Sequence, residues 1–427
     1  MNTRCCQRLL AGLIAAGTLS TAMADPSLSD TQYSFGGFVK VAALYSRYSD
    51  GAVAQGPGRD FYLPSSIPVA AGPSTGKQYF DTQAKETRLF FGARAKLDEH
   101  TVSGYIEGDF ISGQIPQVWN SATVSGTTTT TSAVTTGNKI STNAYNPALR
   151  RAWLTYDGLL LGQDWSTFQN ADVLPETTDF IGGVDGLVFV RQPQARYTAG
   201  GFQAALESAD TTVSGYTTSA GKNTPVALAT TNDNNVPDLV LRYNVATAMG
   251  NLSAAALVRQ LRDAGTVGSL PGAATATAVG EGLSVAGKLP LWSQADLRFM
   301  LTSGRGIGRY IGLDSVGDAL INSSSGELVA IPVTAGYLAL HTPLCAHWTG
   351  NLILSQESAN LKDSLAAAGA TTQTQSVAIN AFYSPVRNLS FGTELRYGRR
   401  NALASTAASA GLIGSLDRVE FSAKYAF

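Results

Sequence analysis

The sequence contains few of the residues that build metal sites and disulfide frameworks. Its 427 residues include three cysteines and three histidines. Two of the cysteines, Cys5 and Cys6, lie in a segment that we predict to be removed, so Cys345 has no partner for an internal disulfide. The histidines are scattered, and neither H-E-x-x-H nor C-x-x-C occurs. We therefore expect no metal site and no cofactor.

Long apolar runs are also scarce. At the start of the chain, a positively charged segment is followed by the apolar stretch Leu9–Leu19 and by an A-x-A cleavage pattern, Ala22–Ala24. We therefore predict that residues 1–24 form a signal peptide and that the mature chain covers residues 25–427. Beyond the signal, no window holds the 18 or more consecutive apolar residues of a membrane-spanning helix.

Charge is sparse and nearly balanced. Charged residues make up 14% of the chain and the formal net charge is −1, so nothing in the composition indicates a nucleic-acid partner. Hydrophobic residues nevertheless reach 44%, and glycine occurs 44 times. In an exported chain without a spanning helix, this composition favours strands of alternating polarity over the core of a water-soluble protein.

The C-terminal stretch Leu416–Phe427, LDRVEFSAKYAF, alternates polar and apolar residues up to its last position. Because successive side chains of a strand point to opposite faces, this stretch has one apolar face and one charged face. The edge strand of a soluble sheet can show the same pattern. The terminal aromatic residue, however, resembles the last strand of bacterial outer-membrane barrels, which the assembly machinery recognises by its final phenylalanine. We expect Phe427 to act as this assembly signal.

Similar alternation recurs along the whole chain. The runs Arg88–Leu97 and Val102–Phe110 alternate on either side of a tight turn, a pattern typical of a β-hairpin. We count 16 strand segments, joined by short turns, such as Thr342–His347 and Ser384-Pro385, and by long loops, such as residues 209–236. The even number and this asymmetry predict an all-β fold, a single 16-stranded antiparallel transmembrane β-barrel. Closure is expected because an open edge in hydrocarbon leaves backbone groups unpaired.

Seven motifs follow one another along the chain: Tyr33–Lys40, Gly58–Val69, Gly162–Gln169, Leu174–Gly182, Val188–Thr198, Asn234–Asn244 and Phe421–Phe427. They resemble the motifs of the DcaP-like porin family. Each motif alone is moderately specific, but their order along one chain is highly specific. The resemblance covers essentially the whole mature chain.

This resemblance implies a homotrimeric channel in the outer membrane of a Gram-negative bacterium, with dicarboxylates and other small anions as solutes. It also implies contacts with outer-membrane lipid and lipopolysaccharide, and assembly by the barrel assembly machinery. Some members of the family carry an N-terminal coiled-coil extension. Here only residues 25–30 precede the first predicted strand, so we expect no function that depends on that extension.

A loop that follows the fifth predicted strand, Ser166–Gly186, carries four acidic residues. They are Asp172, Glu176, Asp179 and Asp185. From its spacing alone the segment is equally an ordinary surface loop, whose acids face water. The resemblance to porins favours the other interpretation, in which the loop folds inward and narrows the pore.

Basic residues occupy the polar face of many predicted strands. They are Lys40, Arg88, Arg94, Arg196, Arg242, Arg259, Lys288, Arg298, Arg396 and Arg418. Rings of basic residues favour anions, and arginine offers carboxylates a planar fork. The alternative is that these cations pair with inward acids and fill the lumen, and we expect both. Arg418, Lys40, Arg88 and Arg94 fall on consecutive strands and predict one basic wall.

The sequence thus predicts a passive diffusion channel for small hydrophilic solutes that favours anions, and a general porin without selectivity is the alternative. An outer-membrane barrel enzyme is a further alternative, but G-x-S-x-G is absent and the histidines lie beside short turns. A structural or adhesive barrel is disfavoured by the inward charges. The glycine-rich run Gly304–Gly308 lacks the strand–helix context of a phosphate-binding motif, so we expect a loop there.

Overall fold

The computed structural model describes residues 31–70, 74–111, 117–125, 128–136, 145–208, 210–219, 222–265, 275–322, 325, 327–362, 365–404 and 411–427. The predicted signal peptide, residues 1–24, lies outside this part of the chain. Among the described residues, no helix is long and apolar enough to cross a membrane.

Sixteen strands form one closed antiparallel sheet, as predicted from the sequence. They are β1 (Gln32–Tyr48), β2 (Lys77–Gln83 continued by Arg88–Leu97), β3 (His100–Asp109), β4 (Ala148–Tyr156), β5 (Leu159–Trp165), β6 (Arg191–Ala199), β7 (Phe202–Glu207), β8 (Asp238–Thr247), β9 (Gly250–Asp263), β10 (Ala276–Pro290), β11 (Asp296–Arg305), β12 (Pro332–Cys345), β13 (Trp348–Ala359), β14 (Thr371–Val386), β15 (Leu389–Ala402) and β16 (Leu412–Ala426). The two segments of β2 count as one strand because both pair with β1.

The barrel closes where its first and last strands meet. β1 pairs with β16 in register from Phe38 opposite Ala426 to Tyr48 opposite Leu416. Beyond this ladder, the backbone of Phe427 exchanges two hydrogen bonds of 3.1 Å with Gly37. Every strand of the sheet therefore has a partner on both sides, which satisfies the backbone polar groups where no water is present.

The two faces of the sheet follow the alternation in the sequence. On β1, Val39, Val41 and Tyr45 are exposed on the outside, whereas Leu44 and Ser46 are buried on the inside. The same alternation of exposed apolar and buried residues recurs on the later strands, for example on β13 and β16. An apolar outer surface matches a hydrocarbon surrounding, and the inner face carries the charges.

Short turns lie at one end of the barrel and long loops at the other. The short turns span residues 98–99, 157–158, 200–201, 248–249, 291–295, 346–347 and 387–388. Two predicted turns were displaced: β12 continues to Cys345, and β14 continues through Ser384-Pro385 to Val386. In both places the register shifts beside a proline, because an irregularity accommodates a residue without a backbone N–H.

Several long loops contain strands of their own. Gln117–Ser125 and Thr128–Thr136 form a hairpin between β3 and β4. Thr212–Ser219 and Lys222–Thr230, between β7 and β8, form a four-stranded sheet with two short strands that precede β12, Ala319–Asn322 and Glu327–Ala330. The predicted loop 209–236 was therefore wrong in its secondary structure.

Candidate functional site in the barrel lumen

The β5–β6 loop, residues 166–190, lies inside the barrel. Hydrogen bonds from the inner wall hold its backbone: Tyr337 donates to the Val173 carbonyl at 2.8 Å, and Arg298 donates to the Leu174 carbonyl at 2.7 Å. The Lys40 ammonium donates to the carbonyl of Thr178. These donors belong to β12, β11 and β1, so the loop runs along a large part of the inner wall.

Glycine allows the end of this loop to approach the wall closely. Gly186 lies against Gly336 of β12, and a Cβ atom at Gly186 would stand 1.9 Å from the Gly336 carbonyl oxygen. The Gly186 N–H donates to the Ser355 hydroxyl at 2.7 Å. No other residue type could occupy this position without displacing the loop from the wall.

The four acids of the loop divide into two pairs. Asp179 and Asp185 are buried, whereas Asp172 and Glu176 are exposed. Asp179 accepts from the backbone N–H of Tyr62 at 2.8 Å, and Asp185 accepts from the Tyr62 hydroxyl at 3.0 Å. Burial raises the pKa of Asp185, although hydroxyl donors oppose the shift. Only Asp172 and Glu176 are therefore placed to meet a solute.

A second loop also lies inward, which the sequence did not indicate. It is the β11–β12 loop, described at residues 306–322, 325 and 327–331, and it pairs with the β5–β6 loop. Phe189 N–H donates to the Tyr310 carbonyl at 3.0 Å, and Gly312 N–H donates to the Leu187 carbonyl at 3.2 Å. Apolar side chains from both loops and from the wall form one buried cluster, which includes Tyr310, Leu187 and Ile307. Part of the lumen is thus filled by a packed core.

Four of the predicted lumen cations are buried against these loops and pair with acids. Lys40 lies 2.5 Å from Glu86, Arg396 lies 2.6 Å from Glu394, Arg418 lies 3.5 Å from Asp179, and Arg259 lies 3.1 Å from Asp238 and 2.8 Å from Asp318. Their side chains are between 0% and 8% exposed. These four cations hold the interior together and are not free to contact a solute.

The other predicted cations remain in partial or full contact with the lumen. Arg94 is exposed, and Arg88, Arg196, Arg242, Lys288 and Arg298 are partly exposed. Arg196 pairs with Asp164 at 2.9 Å, and Arg298 pairs with Asp296 at 2.5 Å. The predicted single wall of Arg418, Lys40, Arg88 and Arg94 does not form. Lys40 and Arg418 are covered, and Arg94 lies six residues, about 20 Å, along β2 from Arg88.

Several lumen arginines were not predicted from the sequence. Where β3 pairs with β4, a β-bulge shifts the register between Glu107 and Gly108. The bulge directs the adjacent Arg150 and Arg151 to the same side of the sheet. Arg150 pairs with Glu107 at 2.8 Å, and Arg151 pairs with Asp164 at 2.6 Å. Two adjacent arginines in an otherwise alternating strand were the available signal of the bulge.

Arg191 was also not predicted, and it completes a partly exposed group. Arg191, at the start of β6, places its guanidinium 5.0 Å from the centre of the Trp165 ring. The partly exposed arginines on β2, β4, β6 and β8 form a group that we call the basic arc. They are Arg88, Arg151, Arg191, Arg196 and Arg242. The acids that pair with this arc, Glu107, Asp109 and Asp164, are fewer than its arginines. The arc is therefore a partly exposed surface of the inner wall with more positive than negative side chains.

The described residues contain no group of three or more His, Cys, Asp or Glu side chains placed to bind a metal ion. Each histidine contacts a group other than a serine hydroxyl. His100 lies 2.8 Å from Asp157, His341 lies 2.9 Å from the Asn351 amide oxygen, and His347 lies 3.1 Å from a backbone carbonyl.

Comparisons with known proteins relate the chain to outer-membrane channels through its fold. No protein-family model matches the sequence, and no curated protein matches it. The outer membrane channel DcaP of Acinetobacter baumannii has a TM-score of 0.65 and 20% identity over 97% of this chain and 100% of that chain. OmpT, an outer membrane protein of Vibrio cholerae, has a TM-score of 0.50 and 11% identity over 93% and 98% of the two chains. The predicted resemblance to DcaP is thus confirmed in the fold.

Proposed function

We propose that this protein is an outer-membrane porin of a Gram-negative bacterium, a passive diffusion channel for small hydrophilic solutes that favours anions such as dicarboxylates. The barrel fold and its likeness to the DcaP channel support the channel. The basic arc supports the preference for anions, and it is the observation that carries the proposal.

The arc supplies several weak sites in series. A guanidinium about 4 Å from a carboxylate gains roughly 4 kcal/mol at an effective dielectric constant near 20, before desolvation is subtracted. Because Glu107, Asp109 and Asp164 already neutralise part of the arc, each site holds an anion weakly and releases it. The exposed Asp172 and Glu176 give cations a parallel path. Selectivity is therefore partial.

A general porin without selectivity is the second candidate. It is favoured by the ion pairs within the arc, since Arg151 and Arg196 share one carboxylate, Asp164. A salt gradient across a planar bilayer separates the two candidates. We expect a reversal potential whose sign indicates that anions permeate more readily than cations. We also expect dicarboxylates of graded length to block the current. A reversal potential of zero without block would support the general porin.

We also propose a homotrimer that contacts outer-membrane lipid and lipopolysaccharide and is exported by its signal peptide, residues 1–24. We do not propose an enzymatic function.

Phe427 is proposed as the signal that the barrel assembly machinery recognises. Its ring is 47% exposed and lies 6.1 Å from that of Phe35, so its packing contributes little. Phe427→Ala, which keeps the backbone hydrogen bonds with Gly37, should lower the amount of assembled barrel in outer-membrane fractions. The purified variant should refold in detergent as the unchanged protein does. Unchanged amounts in the membrane would contradict the assignment.

A further inference from the structure

We propose that the β11–β12 loop is a pH-dependent gate, anchored at its base by Arg259 and latched at its tip on the buried carboxyl group of Glu357. The loop stays in the lumen at acidic pH and is released as the pH rises. This inference rests on the proposed channel function only for its conductance readout.

The base of the loop is held by a buried ion-pair cluster. Arg259 of β9 lies 3.1 Å from Asp238 of β8 and 2.8 Å from Asp318 of the loop. Asp318 also accepts hydrogen bonds from the backbone N–H groups of Thr212 at 2.9 Å and Arg309 at 3.0 Å. The Arg259 guanidinium thus bridges two buried carboxylates, one on the barrel wall and one on the loop.

The tip of the loop is held differently. Ser315 donates its hydroxyl hydrogen to Glu357 Oε2, on the inner face of β13. Gly312, with φ of +60°, lies so close that a Cβ atom there would stand 2.6 Å from the same oxygen. Glu357 is fully buried, and its Oε1 atom has no hydrogen-bond partner. Among the described residues, Glu357 forms no ion pair.

The surroundings of Glu357 favour its neutral form. Its neighbours across the sheet are Ala335 of β12 and Thr374 of β14, which are uncharged. The nearby charged groups are both acids, Asp185 of the β5–β6 loop and Asp314 of the β11–β12 loop. A carboxylate buried among uncharged groups and acids is costly, so a proton on Glu357 stabilises the closed arrangement.

Asp314 adds to the same effect. Its carboxylate accepts from the Thr212 hydroxyl at 3.0 Å. Burial, and then the neighbouring Asp318, raise the pKa of Asp314 from 3.8 to about 7, while Arg309 and Arg259 oppose the shift. The closed loop therefore binds this proton more tightly than the released loop. Its advantage is complete below the ordinary pKa of Asp314 and is lost as the pH rises towards about 7.

Single-channel recordings between pH 4 and 8 test the gate. The open-to-closed ratio should rise with pH, by about tenfold per pH unit for each carboxyl group that loses its proton on opening. Glu357→Gln with Asp314→Asn should flatten this dependence. Glu327→Gln is the matched control, because Glu327 lies in the same loop but is exposed and pairs with Lys362. Equal pH dependence in the double variant and the unchanged protein would overturn the proposal.

A disulfide provides a second test. Val188 and Ile311 form an antiparallel bridge between the two inward loops. In a Cys345→Ser background, Val188→Cys with Ile311→Cys should abolish the pH response when oxidised and restore it when reduced. A pH response that survives oxidation would contradict the gate.

Labelling with a water-soluble maleimide separates this inference from the channel function. The purified variant Leu313→Cys should become more reactive from pH 5 to 8 than the native, exposed Cys345, which serves as the internal reference. This readout remains valid if the protein conducts no ions. Parallel reactivity of the two thiols over the whole range would overturn the gate, whereas absence of conductance alone would overturn the proposed function.

Discussion

The two sides of the lumen differ in how they use arginine. On one side, the inward loops pack against the inner face of β9–β16 and β1, which we call the covered wall. There Arg259, Arg396 and Arg418 are buried and pair with acids. On the basic arc, Arg88 and Arg151 keep 22% and 24% of their side chains exposed, although they lie near acids as well. The loops, not the strands, thus decide whether an inward arginine is structural or available to a solute.

This difference has an energetic consequence. Removing one member of a buried ion pair leaves an uncompensated charge and costs about 3–5 kcal/mol, whereas an exposed pair contributes roughly 0–1 kcal/mol. The same substitution should therefore affect folding on the covered wall and selectivity on the basic arc.

The largest effect is expected at Arg259. Arg259→Met should leave Asp238 and Asp318 unpaired in a buried site and destabilise the folded barrel by about 3–5 kcal/mol. The loss of stability is measured as a lower temperature at which the folded band disappears on a heat-modifiability gel. Arg305→Met is the matched control, since Arg305 is 56% exposed and pairs with the exposed Glu281. If both variants lost the folded band at the same temperature, burial would not distinguish structural arginines from exposed ones.

The sequence predicted the barrel because its signal is local. Side chains alternate with a period of two, so residues such as Val39 and Val41 could be assigned to the outer face without further information. Burial inside the lumen could not be assigned in this way. Lys40 and Arg88 have the same alternation in the sequence, but in the structure Lys40 is covered by the β5–β6 loop and pairs with Glu86.

Two further differences have physical causes. The phase of β4 is broken by a bulge at Arg150, because an extra residue in one strand shifts the alternation by one position. The sequence of the β11–β12 loop shows no alternation of polar and apolar residues from which its position could be predicted. Its inward position depends on Arg259 and Glu357, which come from strands distant in sequence.

The second largest effect is expected at Arg418, where a substitution should release the β5–β6 loop from the wall. Arg418 contacts Asp179 of this loop at 3.5 Å and Ser46 of β1 at 2.9 Å. Arg418→Met should leave Asp179 without its cation, weaken the loop contact and increase the single-channel conductance. Lys77→Met, at an exposed position, should leave the conductance unchanged. An unchanged conductance in Arg418→Met would show that the loop does not depend on this pair.

Selectivity should change most at the pair that shares Asp164. Arg151→Gln with Arg196→Gln removes two positive charges and leaves the carboxylate of Asp164 unpaired. One charge about 4 Å from a solute contributes about 1 kcal/mol even in bulk water, which is roughly a fivefold change in preference. The reversal potential in a salt gradient should shift towards cations. Stable barrels with an unchanged potential would assign the arc to lumen filling.

The smallest effect is expected at Arg94, and it separates position from charge. Arg88 lies near Glu107 and Asp109 within the basic arc, whereas Arg94 lies about 20 Å farther along β2 and is exposed. Because the Debye length is about 10 Å at 0.1 M salt and about 3 Å at 1 M, a charge at Arg94 is screened from a solute in the arc. Arg88→Glu should therefore shift the reversal potential clearly at 0.1 M salt and weakly at 1 M. Arg94→Glu should shift it slightly at 0.1 M and not at all at 1 M, and equal shifts from both variants would show that the total charge of the lumen, and not the basic arc, sets the preference.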